Sequence, residues 1–234
     1  MAAELLRRTA AAVGAAGRIL EVGCGTGTLT RELRRLNPTA WLVAVDLDPE
    51  VLRRARARLG MDPGISWLAM DAESLTRGDF DLVIANSVFQ WFSRPQETLA
   101  RYHGMLASGG LLAFSAMGPA TFRELGQAWR EAVPAGESSP PVPVAATFPA
   151  GPAWADMLSQ AGFGEVTLHR ELRVIHYPSA WDLLKTIQGT GAMNPVPRPF
   201  SPRLLRRLLA TYQSLFGNGA VPATYELLWL TARK

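Results

Sequence analysis

Short apolar runs alternate with amphipathic stretches along the first half of this 234-residue chain. Apolar runs that stop at a polar residue or at glycine predict buried strands, and apolar positions at helical spacing predict the helices between them. The predicted strands lie at residues 18–22, 40–45, 66–70, 79–85 and, after a turn at Ser108-Gly109-Gly110, at 111–115. The predicted helices lie at residues 28–36, 49–59 and 95–106. This β-α repetition with short loops predicts an α/β fold with a doubly wound, mostly parallel sheet.

Proline-rich segments interrupt the pattern in the second half of the chain. We predict irregular structure at residues 134–152 and 195–199, because proline fixes φ and cannot donate a main-chain hydrogen bond. The remaining predicted elements are helices at 121–132, 153–161 and 202–216 and strands at 165–175 and 223–231. No internal repeat is visible, and the length suits one α/β domain.

The first predicted strand ends in a glycine-rich turn, Glu21-Val22-Gly23-Cys24-Gly25-Thr26-Gly27. Because glycine has no Cβ, a ligand can lie against its main chain. A dinucleotide fingerprint has a further glycine or alanine three residues past its second glycine, and Thr28 stands there instead. With Gly27 between and Glu21 opening the turn, the loop favours a cofactor with a zwitterionic amino-acid end, such as S-adenosylmethionine. The alternative is a tight connection without a ligand.

Three later strands also end in polar residues. Asp46-Leu47 follows the second strand about 20 residues after the glycines, the offset at which a carboxylate reaches a ribose diol. Asp71-Ala72-Glu73 follows the third strand, and Asn86 follows the fourth. Each acid can instead cap a helix, but ligands of open α/β sheets bind outside the carboxyl ends of the strands. We therefore expect these residues to form a cofactor site with the glycine turn.

Composition and charge exclude several other classes of protein. One cysteine excludes internal disulfides, and neither a membrane-length apolar run nor a signal peptide is present, so we expect a soluble, cytoplasmic protein. The net charge is only +4, and all but two of the 24 basic residues are arginine, which inflates the pI. Basic platforms interleaved with aromatic residues and zinc-ligand spacings are missing, so we expect no nucleic acid, membrane or metal partner.

Further blocks of residues, spread from the third predicted strand to the last, carry more specific information. They are Asp71-Ala72-Glu73, Asn86, Gln90-Trp91, Phe114-Ser115, Gly118-Pro119, Thr121-Phe122-Arg123-Glu124-Leu125, Trp129, Gly191-Ala192 with Asn194, and Pro222-Ala223-Thr224-Tyr225-Glu226. With the glycine turn, they resemble the class I S-adenosylmethionine-dependent methyltransferases and, within that group, the malonyl-acyl carrier protein O-methyltransferases of biotin synthesis. The resemblance covers nearly the whole chain from residue 18 onward.

The resemblance implies both a fold and a reaction. The implied fold is a Rossmann-like, seven-stranded sheet with an antiparallel C-terminal strand, in a single domain over residues 1–234. Residues 18–118 would bind the cofactor, and residues 119–234 would carry substrate-facing insertions and the terminal strands. The implied reaction transfers a methyl group from S-adenosylmethionine to the free carboxylate of a malonyl thioester, on acyl carrier protein or coenzyme A, for pimeloyl and biotin synthesis. A carboxylate is already ionised at neutral pH, so no general base is needed.

The candidate catalytic residues are Lys185, Gln90 and Trp91. Lys185 is one of two lysines and lies beside a turn that matches the family, so it could hold one oxygen of the acceptor carboxylate. The alternative is a solvated helix residue. Gln90-Trp91 follows Asn86 at the expected sheet edge, where Trp91 could line the acceptor pocket or belong to the core.

Arginines near the end of the chain form a candidate docking patch for the acidic carrier protein. Arg203, Arg206 and Arg207 share a helix face, and Arg198 precedes that helix. The alternative is an ordinary solvated face.

The chain departs from the family at two places. Family members usually carry a longer amino-terminal helical segment with tyrosines that closes over the cofactor, but residues 1–17 contain no aromatic residue. We expect either a lost lid or a truncated start. Gln188 stands where a lysine is common. Two other functions stay open: a methyltransferase acting on a free dicarboxylic acid or another small molecule, and an S-adenosylmethionine-binding protein without turnover.

Overall fold

The computed structural model describes residues 1–133, 144–189 and 202–234. These residues form seven strands: β1 (Arg18–Val22), β2 (Trp41–Asp46), β3 (Ile65–Ala69), β4 (Phe80–Asn86), β5 (Leu106–Met117), β6 (Gly164–Tyr177) and β7 (Val221–Arg233). The same residues form eight α-helices: α1 (Ala2–Ala15), α2 (Thr28–Leu36), α3 (Pro49–Leu59), α4 (Pro95–Met105), α5 (Arg123–Ala132), α6 (Gly151–Gln160), α7 (Ala180–Gly189) and α8 (Pro202–Phe216). None of these helices has the length and apolar character needed to cross a membrane.

The strands form one sheet in the order β3-β2-β1-β4-β5-β7-β6. β1 lies between β2 and β4, and parallel pairing extends from it to β3 on one side and to β5 on the other. The C-terminal strand β7 is antiparallel to β5, and the residue after it, Lys234, exchanges main-chain hydrogen bonds with Gly109 and Gly110. The central strands are almost entirely buried, which explains their continuous apolar sequences. The predicted doubly wound, seven-stranded sheet with an antiparallel C-terminal strand is confirmed.

The predicted bounds of α2, α3 and α8 are confirmed, whereas the turn predicted at Ser108-Gly109-Gly110 is wrong. These three residues continue β5, which carries extra residues relative to β4. Phe80 pairs with Leu106, but Leu82 already pairs with Leu111. The irregular stretch between these pairs is absorbed within the strand, where Gly109 takes a φ of +75°.

Helix α1 is absent from the sequence-based prediction, and α7 entered it only as the alternative interpretation of Lys185 as a solvated helix residue. α1 is rich in alanine and buries one face, with Leu5, Leu6, Thr9 and Val13 directed inward. Residues 134–143 of the predicted proline-rich loop, and the segment 195–199, lie outside the described residues. Residues 144–147 form a short 3-10 turn.

The chain divides into two compact units. The first consists of Met1–Ala116, Ala150–Arg170 and Leu228–Lys234. Its core is aromatic: the ring centroids of Phe89 and Phe114 lie 4.5 Å apart, and those of Phe114 and Trp154 lie 5.3 Å apart.

The second unit consists of Met117–Pro149 and Glu171–Leu227. Its own core packs Trp129, Leu183 and Tyr212 together. Each unit therefore has a separate hydrophobic cluster.

Candidate functional site

The carboxyl ends of β1, β2, β4 and β5 lie side by side at one edge of the sheet. The strand order reverses at β1, with β2 on one side and β4 on the other, and ligands of open α/β sheets bind at such a point. Val22 pairs in register with Val45 and with Ala85. Asp46 and Asn86, the next residues of β2 and β4, therefore flank the start of the glycine turn.

The three glycines of this turn differ in what surrounds them. A Cβ at Gly23 would lie 2.3 Å from Cγ2 of Val88, and one at Gly27 would lie 2.9 Å from Cδ1 of Leu59. Both positions need glycine so that neighbouring parts of the protein can pack. A Cβ at Gly25 would meet no atom of the described residues within 4 Å. Gly25 therefore borders open space from which a ligand can approach the main chain.

Asp46 holds the glycine turn from the neighbouring strand. Its Oδ2 accepts the Gly25 N–H at 2.8 Å, and its Oδ1 accepts the Asp48 N–H at 3.1 Å. A carboxylate oxygen can accept a second hydrogen bond, so these contacts leave capacity for the predicted ribose diol. The next side chain, Leu47, is 74% exposed. An apolar surface thus lies directly beside the carboxylate.

Glu21 is a buried carboxyl group without a hydrogen-bond partner. The residue is 1% exposed, and neither Oε1 nor Oε2 has a partner within the described part of the chain. Thr30 of α2 faces the carboxyl, and its hydroxyl and main-chain N–H oppose part of the rise in the Glu21 pKa, but neither has the geometry of a full hydrogen bond. Burial, and to a smaller extent the negative charge of Asp46, raise the pKa of Glu21 to about 8. Buried polar groups are almost always paired, so this buried carboxyl at the start of the glycine turn indicates a site that a ligand donor would complete.

Cys24, which lies in the same turn, has no comparable chemical role. Burial raises the pKa of its thiol, and the negative charges of Glu21 and Asp46 raise it further. The thiol is therefore protonated at neutral pH, and a protonated thiol is a poor nucleophile. The structure thus gives no support for a reactive cysteine at this position.

The segment after β3 is fixed by its own hydrogen bonds. Asp71 caps a short 3-10 turn, with its Oδ1 accepting the Glu73 N–H at 2.9 Å, and the Ala72 carbonyl accepts the Tyr102 hydroxyl at 3.0 Å. The buried Glu73 carboxylate accepts hydrogen bonds from Ser93, Arg94 and Thr98. Although burial opposes ionisation, these bonds lower the pKa of Glu73. Asp71 thus has the capping role that the sequence left open, and Glu73 is structural.

A tight turn follows β4 and carries Gln90 and Trp91. Ser87 has a left-handed φ of +60°, which is strained for a residue other than glycine. Gln90 Nε2 donates to the Ser87 carbonyl at 3.0 Å, and Gln90 Oε1 is buried without a partner among the residues described. Trp91 is 37% exposed. Gln90 therefore supports the turn, and Trp91 lies on its surface.

Sequence analysis named Ser115 of β5 only within a block that resembles the family and gave it no role in the site. It is fully buried, and its Oγ donates to Oδ1 of Asn86 at 2.9 Å. The signal that could have revealed it is a lone hydroxyl near the end of an apolar strand, because a buried hydroxyl needs a partner.

The second unit carries the remaining predicted residues. Lys185 is exposed on α7, and its Nζ lies 5.6 Å from the ring centroid of Trp181, one helical turn earlier. Arg203, Arg206 and Arg207 are exposed on α8. Arg198, together with the Gly191-Ala192 turn and Asn194, lies outside the described residues. The described cations of this unit are thus accessible to an anionic partner.

Two of the sequence blocks that carry the family resemblance pack against each other in the second unit. The Gly118 N–H donates to the Glu226 carbonyl at 2.9 Å, and the Phe122 N–H donates to the Thr224 carbonyl at 2.7 Å. A Cβ at Gly118 would lie 2.5 Å from Cδ of Glu226. These blocks therefore hold each other in place within this unit.

Comparisons with known proteins agree on one class of enzyme. The methyltransferase domain family model matches residues 20–112. A malonyl-acyl carrier protein O-methyltransferase of Anoxybacillus flavithermus is 32% identical over 216 residues, which cover 91% of this chain and 81% of that protein. The biotin biosynthesis bifunctional protein BioCD of Bordetella avium is 34% identical over 237 residues, which cover 94% of this chain and 48% of that protein.

The same fold is found in a solved structure with a bound ligand. The N-methyltransferase NodS of Bradyrhizobium japonicum, in complex with S-adenosylhomocysteine, aligns with a TM-score of 0.55 and 19% identity, over 100% of this chain and 85% of that one. At this identity the likeness concerns the fold.

Proposed function

Because this chain belongs to the family of malonyl-acyl carrier protein O-methyltransferases, we propose that it transfers a methyl group from S-adenosylmethionine to the free carboxylate of malonyl-acyl carrier protein. The methyl ester removes the negative charge of the malonyl carboxylate. The name of the Bordetella relative supports a place in biotin synthesis.

The observation that carries the proposal is the unpartnered Glu21 carboxyl at the edge where Gly25 borders open space. The amino-acid end of S-adenosylmethionine has an ammonium group, which would supply the N–H donors and the positive charge that Glu21 lacks. The residues present therefore fit this cofactor. When bound, the cofactor supplies a methyl group on a positively charged sulfur, which leaves as a neutral thioether.

Other residues along the same edge would hold the rest of the cofactor. We assign the ribose hydroxyls to Asp46, whose oxygens retain acceptor capacity beside the glycine turn. Leu47 and the Asp71-Ala72 segment follow the next two strands outward from β1, and we assign them to the adenosine end. Gly25 would lie against the cofactor through its main chain.

The chain has a limited chemical task in this reaction. The acceptor carboxylate is ionised at neutral pH, so no residue has to remove a proton. Alignment of the reacting atoms can lower the barrier by about 7 to 11 kcal/mol. Water must also be excluded from the carboxylate. We assign this exclusion to Trp91, with Gln90 supporting its turn, and we assign the hold on one carboxylate oxygen to Lys185.

We assign carrier docking to the exposed arginines of α8, Arg203, Arg206 and Arg207, together with Arg198. Acyl carrier proteins are acidic, and complementary charge steers association from a distance.

A radiolabelled methyl-transfer assay with several acceptors side by side tests the proposed function. Malonyl-acyl carrier protein, malonyl-coenzyme A and free dicarboxylic acids would each be offered, with acetyl-acyl carrier protein as the matched control that lacks the free carboxylate. We expect base-labile methyl ester to form fastest on malonyl-acyl carrier protein and to stay absent from the acetyl control. Faster transfer to a free acid would support the small-molecule alternative, and cofactor binding without transfer to any acceptor would support a protein without turnover.

A further inference from the structure

A buried serine and an asparagine meet at the carboxyl ends of β4 and β5. Ser115 and Asn86 are direct partners in the parallel register of these strands. Ser115 is fully buried, and its hydroxyl donates to Oδ1 of Asn86 at 2.9 Å. The main chain of Ser115 also holds the following turn, because its carbonyl accepts the Ser87 N–H at 2.9 Å. Ser115 thus fixes both the side chain of Asn86 and the backbone beyond it.

This contact determines which end of the Asn86 amide is available to a ligand. The hydrogen bond occupies Oδ1, and an amide is planar, so the Nδ2 group with its two N–H donors points away from Ser115. Within the described residues Nδ2 has no hydrogen-bond acceptor. Asn86 is only half-buried, so these donors lie near the surface of the site.

The position of these donors complements that of Glu21. Glu21 pairs with Ile84 in the register of β1 and β4, and Asn86 follows two residues later beside Gly23. The Glu21 carboxyl, which lacks a donor, and the Asn86 amide N–H groups, which lack an acceptor, therefore lie on adjacent strands at the glycine turn. An α-amino acid has the matching pair of groups, an ammonium and a carboxylate.

We propose that Ser115 is a positioning residue of the cofactor site, which turns the Asn86 amide so that its N–H donors bind the carboxylate of the methionine end while Glu21 binds the ammonium. This inference rests on the proposed use of S-adenosylmethionine. Calorimetric titration with two stable probes tests the inference separately from the proposed use of the cofactor. S-adenosylhomocysteine carries the amino-acid end, and 5′-methylthioadenosine lacks it. If the wild-type protein binds neither probe, the proposed function fails along with this inference.

The Asn86 variants test which group faces the ligand. Asn86→Ala should weaken S-adenosylhomocysteine about tenfold or more, the loss expected for a hydrogen bond to a charged group, and leave methylthioadenosine within about twofold. Asn86→Asp should weaken S-adenosylhomocysteine further, because like charges then meet. If Asn86→Asp instead strengthens binding, the amide faces the ammonium, and the proposed orientation is wrong.

A double-mutant cycle tests the role of Ser115. Ser115→Ala should weaken S-adenosylhomocysteine several-fold in the wild-type background and have no effect in the Asn86→Ala background. Thr9→Ala, which removes another buried hydroxyl bond at 2.8 Å in α1, is the matched control and should leave affinity unchanged. Thermal unfolding would verify that each variant folds. If Ser115→Ala does not fold, Ser115→Cys replaces it, because a thiol has a similar volume to the hydroxyl and is a weaker donor. Equal losses in both backgrounds, or no loss in either, would overturn the proposal.

Discussion

Replacing Glu21 by glutamine should change the pH dependence of folding stability and the pH dependence of cofactor binding. The substitution keeps the shape of the side chain but removes its ability to ionise. Its effect can be calculated from the structure, because Glu21 is 1% exposed and has no hydrogen-bond partner among the described residues.

The sign of the stability effect follows from the two pKa values of this carboxyl. The ordinary value of 4.5 applies to the unfolded chain, and burial raises the pKa in the native protein to about 8. Below pH 4.5 the group is protonated in both states and contributes nothing. Between the two values only the unfolded chain ionises, so the free energy of unfolding falls by about 1.4 kcal/mol per pH unit. Above the native value the loss stays constant.

Denaturant unfolding of both proteins from about pH 6 to pH 8 measures this loss. Over these two pH units the free energy of unfolding of the wild type should fall by about 2 to 3 kcal/mol more than that of the Glu21→Gln variant. Asp46 and Cys24, the titratable groups that interact with Glu21, are present in both proteins, as are the histidines. The difference between the two curves therefore isolates Glu21. Parallel curves would refute the reasoning, since they would mean that Glu21 is already ionised in the native protein.

Cofactor binding provides the second half of the test. At pH 7 a group with the native pKa of Glu21, about 8, is roughly nine-tenths protonated, so binding of an ammonium must release a proton. Calorimetry of S-adenosylhomocysteine in two buffers of different ionisation heat should detect this release in the wild type. The Glu21→Gln variant should bind S-adenosylhomocysteine more weakly at pH 8 and should not show the proton release from Glu21. Any titration of the ligand's own amino group affects both proteins alike.

Three further predictions concern the cofactor, the acceptor and the carrier. Asp46→Ala should lower S-adenosylmethionine affinity more than tenfold in calorimetry, because it removes two charge-assisted bonds of about 1.5 to 3 kcal/mol each. The matched control Asp48→Ala removes the cap of α3, costs about 1 kcal/mol of stability, and should leave affinity unchanged. Lys185→Met should lower kcat/KM for malonyl-acyl carrier protein and spare cofactor affinity; a change within about twofold, roughly 0.4 kcal/mol, would mean that another group holds the carboxylate. Charge reversal at Arg203 and Arg206 should raise KM for malonyl-acyl carrier protein, most strongly at low salt, with malonyl-coenzyme A as the unaffected comparison. An equal rise for both acceptors would instead indicate damage to the fold.

Local sequence signals were sufficient for those elements whose ends are chemically marked. α3 begins after Asp48, whose carboxylate accepts the Glu50 N–H at 2.8 Å, and Pro49 occupies its first turn. The turn predicted at Ser108-Gly109-Gly110 failed because the same glycines that form turns also allow an irregularity inside a strand. Only the pairing with β4 decides between these outcomes, and that pairing is a tertiary property. The miss of α1 is different, since its alanine-rich sequence already favours a helix.

The candidate site could be predicted in outline but not in its energetics. The glycine turn and the polar strand ends place Glu21, Asp46 and Asn86 at one edge, as the alternation of strands and helices indicates. The sequence does not reveal that Glu21 lacks a partner or that Ser115 holds Asn86. Both facts depend on the packing of strands that are far apart in the chain. Both Glu73 and Glu21 are buried, and hydrogen-bond pairing, rather than residue type or burial, distinguishes the structural carboxylate of Glu73 from the unpaired one of Glu21.

The unequal surroundings of the three glycines provide a way to recognise how relatives of this protein have diverged. Gly23 and Gly27 are constrained by Val88 and Leu59, whatever ligand the protein binds. Gly25 has a φ of +54°, which asparagine also tolerates, and only open space beside it. A descendant that lost its cofactor would therefore keep the outer two glycines and be free to replace the middle one. Such a sequence would identify a relative that keeps the fold without the reaction.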